Sequence, residues 1–105
     1  MSKNSPLNKK KRVVISVSIV DDKEMISLNK KYLNKDNTTD VLSFSINDEN
    51  KESMEYYLGD VVINKDQAKK QAKEYGNSVE QEIADLSAHG VLHLLGVHHD
   101  GDDHE

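Results

Sequence analysis

The sequence predicts an α+β domain in which helices pack on a small mixed β-sheet of about three or four strands. Its length of 105 residues suits one domain with one modest core. Apolar residues alternate with a period of two in some segments and recur at helical spacing in others, and the segments follow in the order β, α, β, β, α, α. We therefore treat residues 1–105 as a single domain, whose functional site is built from elements around one core.

The first half of the chain predicts a strand, a helix and a second strand. In "RVVISVSIV", one side of the period-two pattern is entirely aliphatic and predicts a well-buried face. That face consists of Val13, Ile15, Val17 and Ile19. Asp21 or Asp22 can cap the helix that follows, which runs to about Leu33. The segment "TTDVLSFSI" is rich in β-branched and aromatic residues and predicts the second strand, which a polar loop in "NDENKESMEY" follows.

The second half begins with a strand and a short helix. "YYLGDVVIN" predicts the third strand, with a β-bulge expected at Gly59. Asn64 or Asp66 can cap a helix over residues 66–75, and Gly76 suits its C-terminal end.

The last helix leads into the only histidines of the chain. Ser78 and Gln81 form a capping-box pattern that opens it, and Gly96 can stop it, so that we expect a helix over about residues 79–95. All five histidines lie in "SAHGVLHLLGVHHDGDDHE", at the end of this helix and beyond it.

Three of these histidines have the spacing of a metal site. His89 and His93 are four residues apart on one helix face, so they can direct two imidazoles at one ion. Gly96 can turn the chain so that His99 returns to the same face, which completes H-x-x-x-H-x-x-G-x-x-H, the ligand pattern of metzincin metalloproteases. Three neutral imidazoles leave a tetrahedral ion one open position, as in catalytic sites. The pattern predicts one Zn²⁺, with nickel, copper and cobalt as alternatives.

The remaining histidines and the helix sequence limit this prediction. His98 competes with His99 as the third ligand, although the register favours His99, and we interpret His104 as an exposed tail residue. A protease is disfavoured because Gly90 occupies the position of the glutamate base in H-E-x-x-H, and no methionine follows the third histidine. A metal-bound water, or an acid elsewhere in the chain, then has to supply the base.

Composition excludes other kinds of site. The chain has no cysteine, which removes disulfides, thiolate nucleophiles and cysteine zinc sites, and is compatible with a reducing compartment. The apolar run near the N-terminus resembles a signal peptide only poorly, because it carries Ser16 and Ser18, alternates with a period of two and leads into acids without a small-residue cleavage site. No other stretch approaches the roughly 20 apolar residues of a membrane span. We expect a cytoplasmic protein with no membrane partner.

The charge distribution is uneven. A net charge of −5 argues weakly against a general nucleic-acid binder. Residues 1–12 carry five basic residues and no acid, and we interpret them as a flexible basic N-terminus, with a phosphate-binding arm as the alternative.

Three ordered motifs resemble those of the YbeY family of metal-dependent bacterial endoribonucleases. "SLNKKYLNKDNTTDVLSFSI" resembles L-N-x-x-Y-R-x-K-D-x-P-T-D-V-L-S-F, "LGDVVI" resembles L-G-D-[IL]-x-I, and "HGVLHLLGVHHD" resembles H-G-x-L-H-L-x-G-Y-D-H. The resemblance implies a zinc-hydrolase-like α+β fold, one zinc ion held by His89, His93 and His99, and cleavage of single-stranded RNA. It also implies a role in rRNA maturation, notably at the 3′ end of the small-subunit RNA, and in ribosome quality control, with the ribosome or ribosomal proteins as partners.

The chain departs from the family pattern beside these motifs. Leu33 stands where the family has an arginine, whose guanidinium group would donate two hydrogen bonds to a phosphate. Lys35 is the nearest replacement, with Lys30 and Lys31 one turn back. A lysine supplies a compact positive charge but cannot form the bidentate contact of an arginine. Thr38 stands at a family proline.

Two acids in the shared segments are candidates for assisting the chemistry. Asp40 and Asp60 lie at predicted strand ends, where either can orient a ligand histidine or a metal-bound water, and the alternative is that both are merely solvated. Family members usually continue for tens of residues past the last histidine, into a closing helix. We therefore expect exposed apolar surface here, which pairing into a homodimer would cover.

Three functions remain open. The first is a zinc-dependent single-strand-specific endoribonuclease. The second is a non-catalytic or attenuated metal-binding protein associated with the ribosome, which Leu33 and the short C-terminus favour. The third is another metallohydrolase, acting on esters or peptides.

Overall fold

A computed structural model describes residues 12–96. In chain order, its elements are β1 (Arg12–Val20), α1 (Asp22–Leu33), β2 (Val41–Asn50), β3 (Glu55–Asn64), α2 (Lys65–Tyr75) and α3 (Val79–Leu94). The predicted α+β class and the order of the elements are confirmed. None of the described helices is long and apolar enough to cross a membrane.

The three strands form a mixed sheet in the order β1-β3-β2. The last strand in sequence is therefore the central one, parallel to β1 and antiparallel to β2. The expected irregularity in β3 is present, because both ladders shift register beside Gly59 and leave Leu58 without a direct partner. A Cβ at Gly59 would overlap the carbonyl oxygen of Phe44, so the strand needs a glycine there.

The second strand runs further than its sequence predicts. The segment predicted as a loop continues β2 to Asn50, which pairs with Glu55 across a turn at residues 51–54. Backbone pairing requires no apolar side chains, so a polar ribbon can extend a hairpin beyond the sheet. At its other end β2 begins only at Val41, because the preceding threonines belong to a polar network described below.

The sheet is covered on both faces around its central strand. Val61 and Ile63, both fully buried, lie on the face that packs against α2 and α3, where they meet Leu86 and Leu94. On the other face, Val62 packs with two further buried residues, Val20 at the end of β1 and Met25 in α1. The core therefore lies on the two sides of β3, with β1 and β2 at the sheet edges.

The prediction of a well-buried face on β1 is wrong for most of that face within the described part of the chain. Val17 pairs in register with Val61, and Ile19 with Ile63. These side chains therefore point to the sheet face that α2 and α3 cover. Val13, Val17 and Ile19 are nevertheless 55%, 47% and 53% exposed. The helices on that face pack over β3 and β2 and leave the edge strand open.

The helix ends follow from local side chains. Asp21, and not Asp22, caps α1 by accepting the Glu24 N–H, and Ser78 caps α3 by accepting the Gln81 N–H at 3.0 Å. Gly76 ends α2 in the left-handed conformation (φ 74°), as expected, and Gly96 follows α3 with φ 85°.

Candidate functional site

A cavity of about 1050 Å³ lies beside the edge strand β2, between α3 and the loop that follows α1. Helix α3 contributes two imidazoles and two carboxylates to its wall, from His89, His93, Glu82 and Asp85. The opposite wall comes from the end of α1, the loop after it and the first residues of β2.

The register of α3 places both histidines on this wall. One stripe of the helix is buried against the sheet, and it consists of Glu82, Leu86, Gly90 and Leu94. His89 and His93 lie beside this stripe, are exposed, and line the cavity four residues apart. The predicted pair of imidazoles on one helix face is therefore present in the fold.

Gly90 explains why the helix has no glutamate after its first histidine. Gly90 is buried, and a Cβ built on it would lie 2.6 Å from Val61 Cγ1 and 3.2 Å from the Ser43 hydroxyl oxygen. That hydroxyl donates a hydrogen bond to the Gly90 carbonyl at 3.2 Å. Position 90 is thus a point where α3 lies close to the sheet, and a larger side chain there would meet Val61 of β3.

The third predicted ligand lies outside the described residues. His99 and its competitor His98 both follow Gly96, as does His104. Within residues 12–96, no three histidine or acidic side chains are arranged to hold a metal ion. The described part of the cavity therefore supplies two ligands of the kind that divalent transition ions prefer, and a complete site needs a further ligand.

Asp85 is a cavity residue that lies outside the predicted metal-ligand pattern. It lies four residues before His89, so that Asp85, His89 and His93 follow one line along α3. Its carboxylate accepts a hydrogen bond from the Gln81 side chain at 3.0 Å. The i, i+4 spacing that relates His89 to His93 also relates Asp85 to His89, so the sequence alone places Asp85 on the same helix face.

The candidates on the loop side also reach the cavity. Leu33, Lys35 and Asp40 all line it. The Asp40 carboxylate is half-buried and accepts a hydrogen bond from the Gln71 side chain at 3.2 Å, which ties it to α2. Leu33 is 45% exposed and presents an apolar surface where the family pattern has an arginine.

Asp60 does not line the cavity. It follows Gly59 on β3 and pairs with Phe44, on the sheet face opposite to that of Val61 and α3. Its carboxylate accepts a hydrogen bond from the Tyr57 hydroxyl, and this bond is the main cause of a raised pKa for Tyr57.

A buried polar network holds the loop that carries Lys35 and Asp40. Asn64, fully buried, caps α2 by accepting the N–H groups of Asp66 and Gln67. Its side-chain amide donates to Asp22 at 2.7 Å and to Thr38 at 2.8 Å, and its backbone N–H donates to the Asp40 carbonyl at 2.9 Å.

The same network gives Thr38 a role that a proline lacks. The Thr38 hydroxyl donates to the Asp22 carboxylate at 2.7 Å. Hydrogen bonds from Asn64 and then from Thr38 lower the pKa of Asp22, because they favour its charged form. No sequence pattern joins residues so far apart in the chain, so this network cannot be predicted from the sequence.

Comparison with known proteins agrees with the motifs. The family described as Endoribonuclease YbeY matches residues 2–105. Proteins named Endoribonuclease YbeY from Carboxydothermus hydrogenoformans and Aquifex aeolicus are 50% and 49% identical to the chain over 86 and 88 residues. These matches cover 82% and 84% of this chain. The corresponding protein of Oceanobacillus iheyensis is 46% identical over 92 residues, which cover 81% of the chain.

The chain spans 58%, 57% and 60% of the length of these three relatives, respectively. The family match nevertheless extends over nearly every residue, from the basic N-terminus through the histidine-rich end. Sequence motifs, fold and family match agree, and the chain belongs to the YbeY family.

Proposed function

We propose that this chain is a metal-dependent endoribonuclease that cleaves single-stranded RNA. The observation that carries the proposal is the pair His89 and His93 on the wall of a large cavity. The name of the relatives, Endoribonuclease YbeY, supports RNA as the substrate. The resemblance of the motifs supports a role in rRNA maturation at the 3′ end of the small-subunit RNA and in ribosome quality control.

The proposed ion is a single Zn²⁺, held by His89, His93 and, from beyond the described residues, His99. Imidazole nitrogen suits zinc, and three such ligands leave one position open for a reactant. When bound, such an ion polarises a phosphoryl oxygen and lowers the pKa of a coordinated water.

The charges of the cavity support the need for a cation. Among the described residues of its wall, three carry carboxylates and one carries an ammonium: Asp40, Glu82, Asp85 and Lys35. A phosphodiester is repelled by such a wall unless a divalent cation offsets the negative charge. An acidic wall with two imidazoles thus fits a nuclease that works with a metal ion better than one that relies on basic side chains.

The other wall residues have roles that follow from their positions. Lys35 is the ammonium that can contact a phosphate. The Asp40 carboxylate, fixed by Gln71, can accept a proton or hold a water in place. Asp60 lies on the other face of the sheet, and we assign it no role at the cavity.

The partners and location belong to the same proposal. We place the protein in the cytoplasm, with the ribosome or ribosomal proteins as partners. Of the predicted basic segment, Arg12 begins β1 and pairs with Glu55, and its other basic residues lie outside the described part of the chain. The exposed side chains of Val13, Val17 and Ile19 support pairing of two copies into a homodimer.

The competing function is that of an attenuated or non-catalytic metal-binding protein on the ribosome. Leu33 favours it, because its side chain offers no hydrogen-bond donor to a phosphate, whereas an arginine would offer two. Replacement of Leu33 by arginine tests this alternative. If RNA cleavage stays at background in both forms while metal is bound, the nuclease proposal is wrong.

The central experiment measures metal content and cleavage of single-stranded RNA before and after chelation. We expect about one zinc ion per chain, cleavage that is lost with chelator and restored by zinc, and loss of both properties in His93→Ala. Leu92→Ala is the matched control, since Leu92 is the neighbouring residue and is 39% exposed. An unchanged metal content in His93→Ala would show that the histidine pair is not the site.

A further inference from the structure

Tyr32, at the end of α1, is an exposed aromatic residue that directly precedes the cavity residue Leu33. Its side chain is 56% exposed, and the next residue, Leu33, lines the cavity, as does Lys35. The proposed nuclease activity uses none of the properties of this ring.

Two neighbours hold the ring in place. The Phe44 ring packs against it edge to face, with centroids 5.4 Å apart and an interplanar angle of 60°. The ammonium of Lys31 lies 5.1 Å from the centre of the Tyr32 ring. A ring that is already fixed loses little conformational freedom when a ligand stacks on it, so it binds at a lower entropic cost than a free side chain.

An aromatic ring close to basic side chains is the arrangement that proteins use for single-stranded nucleic acids. Bases stack on the ring, while cations attract the phosphates that join them. Lys30, Lys31 and Lys35 surround Tyr32 along the chain, whereas the cavity wall on α3 carries carboxylates. Lys30 forms an ion pair with Asp36, with Nζ and Oδ1 3.9 Å apart. The cations that we assign to the phosphates of a bound strand are therefore Lys31 and Lys35.

Exposure alone does not distinguish Tyr32, since single exposed aromatic residues are common. Tyr75, at the end of α2, is even more exposed, at 67%. The described cavity wall contains no residue of α2, however, so Tyr75 is remote from the path of a strand bound there. Tyr32, by contrast, directly precedes a wall residue in the chain, and its ring has two fixing contacts.

We propose that Tyr32 is a base-stacking subsite, on which one nucleobase of a single-stranded RNA lies while the backbone passes Lys35 into the cavity. This inference rests on the proposed function and adds to it the place where the substrate strand is held. The subsite accepts any base, because every base has a π-face, and it contributes to affinity without touching the reacting atoms.

The test compares the affinity of variants for a fluorescein-labelled oligouridylate of about eight nucleotides, within the site sizes of single-strand binders. Anisotropy gives the Kd, and a gel confirms that the strand is intact after each titration. Tyr32→Leu keeps an apolar contact with Phe44 but removes the ring, whereas Tyr32→Phe and Tyr32→Trp keep a ring. Tyr75→Leu is the matched control, and urea unfolding verifies that each variant is folded.

We expect Tyr32→Leu to raise the Kd by roughly 5- to 140-fold, which corresponds to the free energy of one stacked base. The two aromatic variants and Tyr75→Leu should bind like the wild type. In cleavage assays, Tyr32→Leu should raise KM and leave kcat nearly unchanged, because stacking stabilises the bound substrate and the transition state equally.

Three results would overturn the subsite: equal affinity of Tyr32→Leu and wild type, an equal loss in Tyr75→Leu, or an equal loss in Tyr32→Trp. Each presupposes that the wild type binds RNA. A wild type that neither binds nor cleaves single-stranded RNA would instead refute the proposed function, so the two failures are distinguishable.

Discussion

Replacement of Gly90 by alanine is expected to push α3 away from the sheet. The added Cβ would lie 2.6 Å from Val61 Cγ1, well inside van der Waals contact. Inserting a methyl group into a packed contact costs about 1–3 kcal/mol, whereas alanine gains about 1 kcal/mol over glycine in a helix. The net expectation is a loss of about 0–2 kcal/mol in the free energy of unfolding, with the histidine pair displaced from the sheet.

A double-mutant cycle isolates the steric part of this effect. Val61→Ala removes the methyl group that the new Cβ meets, so Gly90→Ala should cost less in that background by about 1 kcal/mol or more. Urea unfolding followed by circular dichroism gives all four free energies. Ala84→Gly measures the helix-propensity term in the same helix, at an exposed position. A Gly90→Ala variant more stable than the wild type by about 1 kcal/mol, with no coupling to Val61, would refute the close approach.

Three further predictions concern the network and the ion. Asn64→Ala should lower the free energy of unfolding by about 2–4 kcal/mol in urea titrations, because it removes a helix cap and leaves buried partners unsatisfied. The lowered pKa of Asp22 stabilises the fold above the unfolded-state value of about 3.9, and this stability is lost as pH falls through the folded-state pKa. Acid titrations should therefore show a smaller loss of stability in Asp22→Asn than in the wild type, and an identical loss would exclude this role. Chelation should lower the Tm of the wild type but not that of His93→Ala, as measured by calorimetry.

The parts of the fold that sequence could predict are those set by neighbouring residues. The helix cap at Ser78 and the helix end at Gly76 depend on contacts within one turn, so the pattern of side chains predicts them. At the start of α1 the same pattern leaves Asp21 and Asp22 as candidates, and the structure selects Asp21. The histidine pair belongs to this class, because its geometry follows from the pitch of a single helix.

The parts that sequence could not predict depend on which elements become neighbours. The aliphatic pattern of β1 predicts a buried face, but burial also requires a helix above that strand, and the helices lie over β3 and β2. In the same way, the partners of Asn64 come from α1 and from the loop before β2, and no local sequence pattern predicts these contacts. Asp60 has the sequence setting of a site residue, yet strand alternation directs it to the far face of the sheet.

The order of strands in the sheet has a consequence for folding during synthesis. The β2–β3 hairpin closes across a short turn, and such hairpins form within about 1–10 μs. The partner of β1 is different, because Val20 pairs with Asn64, about 44 residues further along the chain. At translation rates of about 5–20 residues per second, β1 waits roughly 2–9 s for the strand it pairs with. The aliphatic first strand therefore stays without its partner strand for this time as the nascent chain grows.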